Sequence, residues 1–74
     1  MRTLDLKGLP CPLPIIKTAK AMKEMAGGEL LEVEATDPGS VGDFPAWAES
    51  TGNTLVASSS ADGVYRFTLR KRGA

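Results

Sequence analysis

The sequence predicts an α+β fold, a two-layer α/β sandwich of order βαβαββ in which two helices cover one face of a four-stranded mixed sheet. Two observations support this prediction. Four short stretches alternate apolar with polar residues, as strands with one buried face do. Two longer stretches carry apolar residues at helical spacing. Because every element has one apolar side, placing both helices on the same face of the sheet buries all of them.

The first strand and the first helix are separated by a glycine. Leu4 and Leu6 alternate with polar residues as far as Gly8, where the strand should end. The helix is predicted from Pro12 to about Ala26, and the two glycines that follow would end it. The residues of its apolar face would be Ile15, Ala19, Met22 and Ala26.

The second strand and the second helix flank a turn. Alternation over residues 31–35 predicts the strand, and residues 37–39 the turn. Either Ser40 or Asp43 could cap the helix, and we favour Asp43 because it leaves Pro45 in the first turn, where a missing N–H is harmless. A glycine–asparagine pair would end this helix. The residues of its apolar face would be Phe44, Trp47, Ala48 and Thr51.

The last third of the chain reads as a hairpin. Leu55 and Ala57 indicate a third strand, and the serines at 58–60 are assigned to the hairpin loop. Asp62 and Gly63 form a typical hairpin turn. The inward-facing residues of the fourth strand would be Tyr65, Phe67 and Leu69.

Length and composition limit the possible functions. Seventy-four residues with 42% hydrophobic and 24% charged side chains suit one globular domain over residues 1–74. The absence of histidine excludes catalytic triads, Cys–His pairs and ordinary zinc sites, and we expect neither a metal nor a cofactor. A single cysteine forms no intrachain disulfide, which favours the cytoplasm. No stretch approaches the roughly 20 apolar residues of a membrane span, and the N-terminus does not resemble a signal peptide.

The net charge is zero, but the charges are segregated along the chain. Residues 1–28 carry five basic and two acidic groups, residues 29–62 carry seven acidic groups and no basic one, and residues 63–74 carry four basic groups. One interpretation is that acids of the second strand pair with arginines of the fourth on the solvent face of the sheet. These residues are Glu32 and Glu34, and Arg66 and Arg70.

Cys11 lies among prolines where the first strand passes to the first helix. With Cys11 as the N-cap, Pro12 and Pro14 would take the first and third helical positions. The helix dipole and the lysines of the helix would favour the thiolate, so we expect the pKa of Cys11 to be lowered. A lone cysteine can instead be a small buried hydrophobe, but the prolines favour an exposed entry turn. The lysines are Lys17, Lys20 and Lys23.

The thiol chemistry favours a carrier. A thioredoxin-like enzyme needs a second thiol to resolve mixed disulfides, and this chain has none. One alternative is a non-catalytic RNA- or protein-binding regulatory module that uses the first helix and a basic tail at residues 70–72. The zero net charge and the lack of an aromatic strand pair disfavour direct nucleic-acid binding. Another alternative is a one-cysteine redox sensor.

Several further residues join the cysteine segment in one family pattern over nearly the whole chain. They are Asp5, Gly8-Leu9, the Cys11-Pro12-Leu13-Pro14 motif, Met25, Gly28, Ala35-Thr36-Asp37-Pro38, Asp43-Phe44-Pro45-Ala46-Trp47, Gly52 and Tyr65-Arg66-Phe67. With this pattern the sequence resembles the TusA/SirA-like sulfur carriers. The resemblance implies a cytoplasmic βαβαββ protein whose motif cysteine receives sulfane sulfur as a persulfide and passes it to a partner protein.

The resemblance also implies roles for individual residues. Cys11 would be the persulfide site, and the residues that shape its loop would be Gly8, Pro10, Pro12 and Pro14. The three helix lysines would form a docking surface for partners. The sulfur donor would be a cysteine desulfurase or a rhodanese-like protein, and acceptors would serve tRNA thiolation, molybdenum cofactor supply or sulfur oxidation. The chain would thus be a sulfurtransferase-type carrier in a relay rather than a stand-alone enzyme, and we expect a monomer.

Overall fold

The computed structural model describes residues 1–73 and confirms the predicted order of elements. The sheet has the strand order β1-β2-β4-β3, in which β1 and β2 are parallel and the other neighbours are antiparallel. No helix within residues 1–73 is both long enough and apolar enough to cross a bilayer. The elements are β1 (Arg2–Leu6), α1 (Leu13–Lys23), β2 (Leu30–Ala35), α2 (Ser40–Thr51), β3 (Thr54–Ala61) and β4 (Val64–Arg70).

One face of the sheet and the inner sides of both helices share a hydrophobic core. Leu31, Val33 and Ala35 of β2 are fully buried and alternate with glutamates on the opposite face. Phe44 of α2 is also fully buried and stacks on Phe67 of β4, with ring centroids 4.7 Å apart. The two helices therefore cover the same face of the sheet, as the sequence predicts.

The first helix is shorter than predicted, and its buried face is shifted. It ends at Lys23 rather than near Ala26, and Gly28 adopts a φ of +88° in the turn that follows. Ile15 and Ala19 are only half-buried, because the side of the helix that faces the sheet includes a proline and a threonine that apolar periodicity does not count. The buried residues of α1 are Pro14, Thr18, Ala21 and Met22.

The second helix begins earlier than predicted, so the assignment of Asp43 as its cap is wrong. Gly39 is the N-cap, Ser40 is the first helical residue, and Asp43 occupies the fourth helical position. Pro45 consequently lies inside the helix, where it removes one backbone hydrogen bond. Burial of Phe44, one residue earlier, stabilises the helix in spite of that loss.

The third strand is longer than predicted, and the serines at 58–60 belong to it rather than to the loop. They pair with residues 65–67 of β4, and a register shift near Val56 marks a bulge. Backbone pairing with β4 outweighs the weak strand preference of these small polar residues. The turn itself is confirmed, since Asp62 and Gly63 have φ values of +53° and +78°.

The basic C-terminal segment is not a loose tail. The backbone N–H of Lys71 donates to the carbonyl of Glu29, at 2.9 Å, and its ammonium donates to the carbonyl of Met22. The N–H of Arg72 donates to Oδ1 of Asn53, at 2.7 Å. These hydrogen bonds attach the segment to the end of the sheet opposite the carboxyl ends of β1 and β2.

Candidate functional site

The loop that carries Cys11 lies at the edge of the sheet where two parallel strands end. Cys11 follows β1, and Asp37 and Asp43 follow β2, so parallel pairing brings these side chains to the same edge. Gly8 has a φ of +81°, and its N–H donates to Oγ1 of Thr36, at 2.9 Å. This hydrogen bond fixes the cysteine loop against the end of β2.

The start of α1 differs from the prediction by one residue. Pro12, not Cys11, is the N-cap, and Pro14 takes the second helical position and is buried. The peptide bond between Cys11 and Pro12 is cis. The N–H of Leu13 donates to the carbonyl of Pro10, at 2.9 Å, and is therefore not directed at the sulfur. Cys11 thus precedes the helix instead of capping it.

The thiol of Cys11 is exposed and hydrogen-bonded to a carboxylate. Exposure shows that the alternative of a small buried hydrophobe is wrong. Sγ donates to Oδ2 of Asp43, at 3.5 Å. One oxygen of Asp37 also belongs to this group, and the three ligand-type atoms lie within 4.8 Å of one another. The immediate neighbours of the thiol are therefore two acids rather than the lysines of α1.

These acids reverse the expected ionisation of the thiol. The pKa of Cys11 is raised above its ordinary value, chiefly by the hydrogen bond to Asp43, then by loss of solvation and by the negative charges of Asp43 and Asp37. The expectation of a lowered pKa is wrong, because a carboxylate that accepts the S–H stabilises the neutral thiol. The negative charges of Asp43 and Asp37 also disfavour the thiolate.

The three lysines are exposed and spread along α1. Lys20 and Lys23 lie in its last turn, where they complement the negative end of the helix dipole. Lys23 is ten residues beyond the first helical residue, a rise of roughly 15 Å. Lys17 and Lys20 border a shallow depression together with Glu24, whereas Lys23 borders another that contains Trp47. Their docking role stays a prediction.

Apolar side chains are exposed on the first turns of both helices. Leu13 and Ile16 of α1 are 38% and 54% exposed, and Val41 of α2 is 53% exposed. Leu13 is two residues from Cys11, and Val41 is two residues from Asp43. These three side chains give the starts of both helices exposed apolar surface that a partner protein could cover.

Comparison with known proteins identifies the family. A family model described as Sulfurtransferase TusA matches residues 2–71. The chain belongs to this TusA family of sulfur carriers. It is 48% identical over 68 residues to the sulfur carrier protein TusA of Allochromatium vinosum, with coverage of 92% of this chain and 90% of the relative.

Further relatives agree with this TusA assignment. A putative sulfur carrier protein of Bacillus subtilis, YrkF, is 50% identical over 70 residues, which are 95% of this chain but 38% of the length of YrkF. The crystal structure of a SirA-like protein from Desulfitobacterium hafniense matches the fold with a TM-score of 0.86, at 28% identity. That match covers 97% of this chain and 99% of the neighbour.

Sequence reasoning missed the two acids of this TusA-family site. Periodicity and turn preferences place Asp37 in a turn and Asp43 at a helix cap, and the family pattern includes both acids without giving either a role at the thiol. The signal that could have found them is the order strand–helix–strand, since parallel pairing of the two strands would bring the segments after each to one edge. The thiol and the two carboxylates offer three ligand atoms, but such groups of acids commonly occur without a metal ion, and we assign none to them.

Proposed function

We propose that Cys11 accepts sulfane sulfur as a persulfide and relays it from a donor protein to an acceptor protein in the cytoplasm. Residues 1–74 would act as one sulfur-carrier domain. The observation that carries the proposal is an exposed thiol, the sole cysteine, within a TusA-family match that covers residues 2–71. A carrier needs a sulfur atom that successive partners can reach, and Cys11 offers one.

The chemistry is a pair of thiol exchanges. The Cys11 sulfur attacks the outer sulfur of the donor's persulfide, the donor's S–S bond breaks, and the donor's thiol leaves with the proton that Cys11 gives up. Cys11 then holds a persulfide, whose outer sulfur is attacked by a thiol of the acceptor. No oxidant is consumed, and no histidine is required. The chain is thus a sulfurtransferase-type carrier in a relay, not a stand-alone enzyme.

Four residues would hold the cysteine loop in shape. Gly8 adopts a positive φ and bonds to Thr36, Pro10 accepts a hydrogen bond from Leu13, Pro12 caps the helix and Pro14 anchors its first turn in the core. None of these groups is a nucleophile or an acid. Their proposed role is to keep the sulfur exposed and in a fixed position.

Partners would approach the edge of the sheet that carries Cys11. The donor would be a cysteine desulfurase or a rhodanese-like protein, and the acceptor another protein thiol of a sulfur pathway. The lysines of α1 would extend the docking surface toward an acidic partner. Because a standard interface covers about 800 Å² of each partner, a monomer leaves this face free for successive partners.

The first experiment measures sulfur uptake by intact-protein mass spectrometry. The protein is incubated with a cysteine desulfurase and cysteine, beside the Cys11→Ser variant and a Ser50→Ala control that changes an exposed hydroxyl on α2. We expect wild type and Ser50→Ala to gain one sulfur atom that reductant removes, and Cys11→Ser to gain none.

Two results would contradict the proposal. One is sulfur bound by Cys11→Ser, and the other is no uptake by wild type from the desulfurase or from a rhodanese with thiosulfate. The second result would favour the binding-module alternative. Salt-dependent RNA binding that survives Cys11→Ser would then identify it.

A further inference from the structure

We propose that Asp43 is the positioning residue that keeps Cys11 a neutral thiol in the unloaded carrier, and that a partner frees the thiolate by placing a cationic side chain against Asp43. This inference rests on the proposed function, because it takes Cys11 to be the residue that reacts. It adds that the thiol of the unloaded carrier is neutral, and that the partner must present a cationic side chain to Asp43.

The geometry of the contact is suited to retaining a proton. An ionised carboxylate only accepts hydrogen bonds, so Oδ2 of Asp43 binds the S–H form of Cys11 at 3.5 Å and repels the thiolate form. Asp43 is half-buried on the fourth residue of α2, and the neighbouring Phe44 is fixed in the core. The carboxylate therefore belongs to a helix that cannot easily move away from the sulfur.

The carboxylates of both acids pack against Gly39. A Cβ on Gly39 would lie 2.9 Å from Oδ2 of Asp37 and 3.5 Å from Oδ2 of Asp43. A side chain at this position would therefore displace the carboxylate of Asp37, whereas its contact with Asp43 would be an ordinary one. Oδ2 of Asp37 is buried and has no hydrogen-bond partner among the described residues. The thiol thus faces an acidic pair that is not neutralised from within.

No cation of the described residues offsets this acidic pair. The ion pairs within residues 1–73 leave out both Asp37 and Asp43. Lys7, in the cysteine loop, is placed toward Asp5 and Glu34, at 3.7 and 3.5 Å. On α1 the first lysine is Lys17, which borders a depression with Glu24 on the side of Arg2. A cationic side chain of the partner would therefore be the group that neutralises Asp43.

Release of the thiolate is a proton transfer without redox change. When a cation pairs with Asp43, the carboxylate of Asp43 no longer accepts the hydrogen bond from the S–H group of Cys11. The thiol proton then passes to solvent or to the leaving thiol of the donor. The Cys11 sulfur then forms its bond to the outer sulfur of the donor persulfide as the donor's S–S bond breaks. Between partners the neutral thiol is protected, because the thiolate is the reactive form toward oxidants and alkylating agents.

The test compares the pH profile of Cys11 in three variants. Thiolate absorbance and the rate of alkylation by neutral iodoacetamide are followed against pH for Asp43→Asn, Asp43→Glu and the control Glu49→Gln, which removes an exposed charge further along the same helix. Loss of the carboxylate charge should increase the thiolate fraction at neutral pH, and the lower nucleophilicity of a more acidic thiol offsets only part of that gain. We therefore expect alkylation of Asp43→Asn to rise severalfold at neutral pH, and that of the other two variants to stay near wild type.

A second measurement tests the requirement for a cation from the partner. Sulfur uptake from the cysteine desulfurase should be unchanged or slower in Asp43→Asn, because the carboxylate that the donor's cation pairs with is gone. Uptake that rises in step with alkylation would overturn that part of the proposal. An unchanged thiolate titration in correctly folded Asp43→Asn would overturn the role of Asp43. Neither alkylation nor titration needs a sulfur donor, so failure here is distinct from failure of Cys11 to accept sulfur.

Discussion

The effect of replacing a glycine depends on the backbone conformation at its position, as two glycines of α2 and its C-cap show. Gly52 is the C-cap of α2 with a φ of +78°, and a Cβ there would lie 2.9 Å from Cδ of Arg72. Gly42 lies within α2, lacks a positive φ, and a Cβ there would meet nothing within 4 Å. The same chemical change should therefore have opposite effects at the two positions.

We expect Gly52→Ala to lower the free energy of unfolding by about 1 to 2 kcal/mol, since alanine is strained in the left-handed region. Gly42→Ala should raise it by about 0.5 kcal/mol, because alanine restricts the unfolded chain and favours the helix. Urea unfolding of the two variants beside wild type measures both effects. If both substitutions changed the free energy of unfolding in the same direction, the proposed difference between the two glycines would be wrong.

At the scale of elements, β2 and β4 are joined on the solvent face by an ion-pair cluster. Arg66 lies opposite Glu34 in the antiparallel register, donates to its carboxylate, and also lies 3.9 Å from Glu32. Lys7 reaches Glu34 from the loop after β1, at 3.5 Å. The prediction of cross-strand pairing is confirmed for Arg66, whereas the ion pairs of residues 1–73 do not include Arg70.

This cluster should make stability depend on pH in the acid range. The hydrogen bond from Arg66, followed by the charge of Lys7, lowers the pKa of Glu34 below its ordinary value. A carboxyl whose pKa is lower in the folded chain stabilises the fold above its unfolded pKa, and that contribution disappears as the pH falls through the folded pKa. Glu34→Gln should thus be less stable than wild type at neutral pH and equal to it in strong acid. Thermal unfolding across pH measures the difference, and a gap that persists in acid would point to packing instead.

The whole molecule depends on a core that both layers share. Phe44 of α2 is fully buried against Phe67 of β4 and also lies next to Asp43, so the same helix contributes to the core and to the site. A domain of this size has a total stability of only about 4 to 11 kcal/mol. The free energy lost on removal of one large core side chain is therefore a large fraction of this total stability.

We expect Phe44→Ala to lose about 3 to 5 kcal/mol and to be marginally folded, and Phe44→Leu, which leaves a smaller cavity, to lose less and stay folded. Truncation of the exposed Val56 to alanine is the control and should change stability by less than about 1 kcal/mol. In wild type, Trp47 fluorescence and far-UV circular dichroism should report one coincident urea transition. Separate transitions would show that the helices and the sheet unfold independently.

The sequence by itself determined the order of elements, the inward faces of β2 and β4 and the hairpin turn at Asp62 and Gly63, and it singled out Cys11 as the candidate sulfur site. These features depend on neighbours within a few residues, where periodicity and turn preferences act. The start of α2 and the strand character of residues 58–60 were decided by tertiary packing and pairing.

Only the tertiary structure decided the environment of the thiol. Cys11 and Asp43 are separated by 32 residues and meet because β1 and β2 pair in parallel, so that the segments following them share one edge. The distribution of charge along the sequence predicts that lysines surround Cys11. In the folded chain the charged groups nearest to its sulfur are instead Asp37 and Asp43. Ionisation responds to charges within a few ångströms, and sequence separation does not measure that distance.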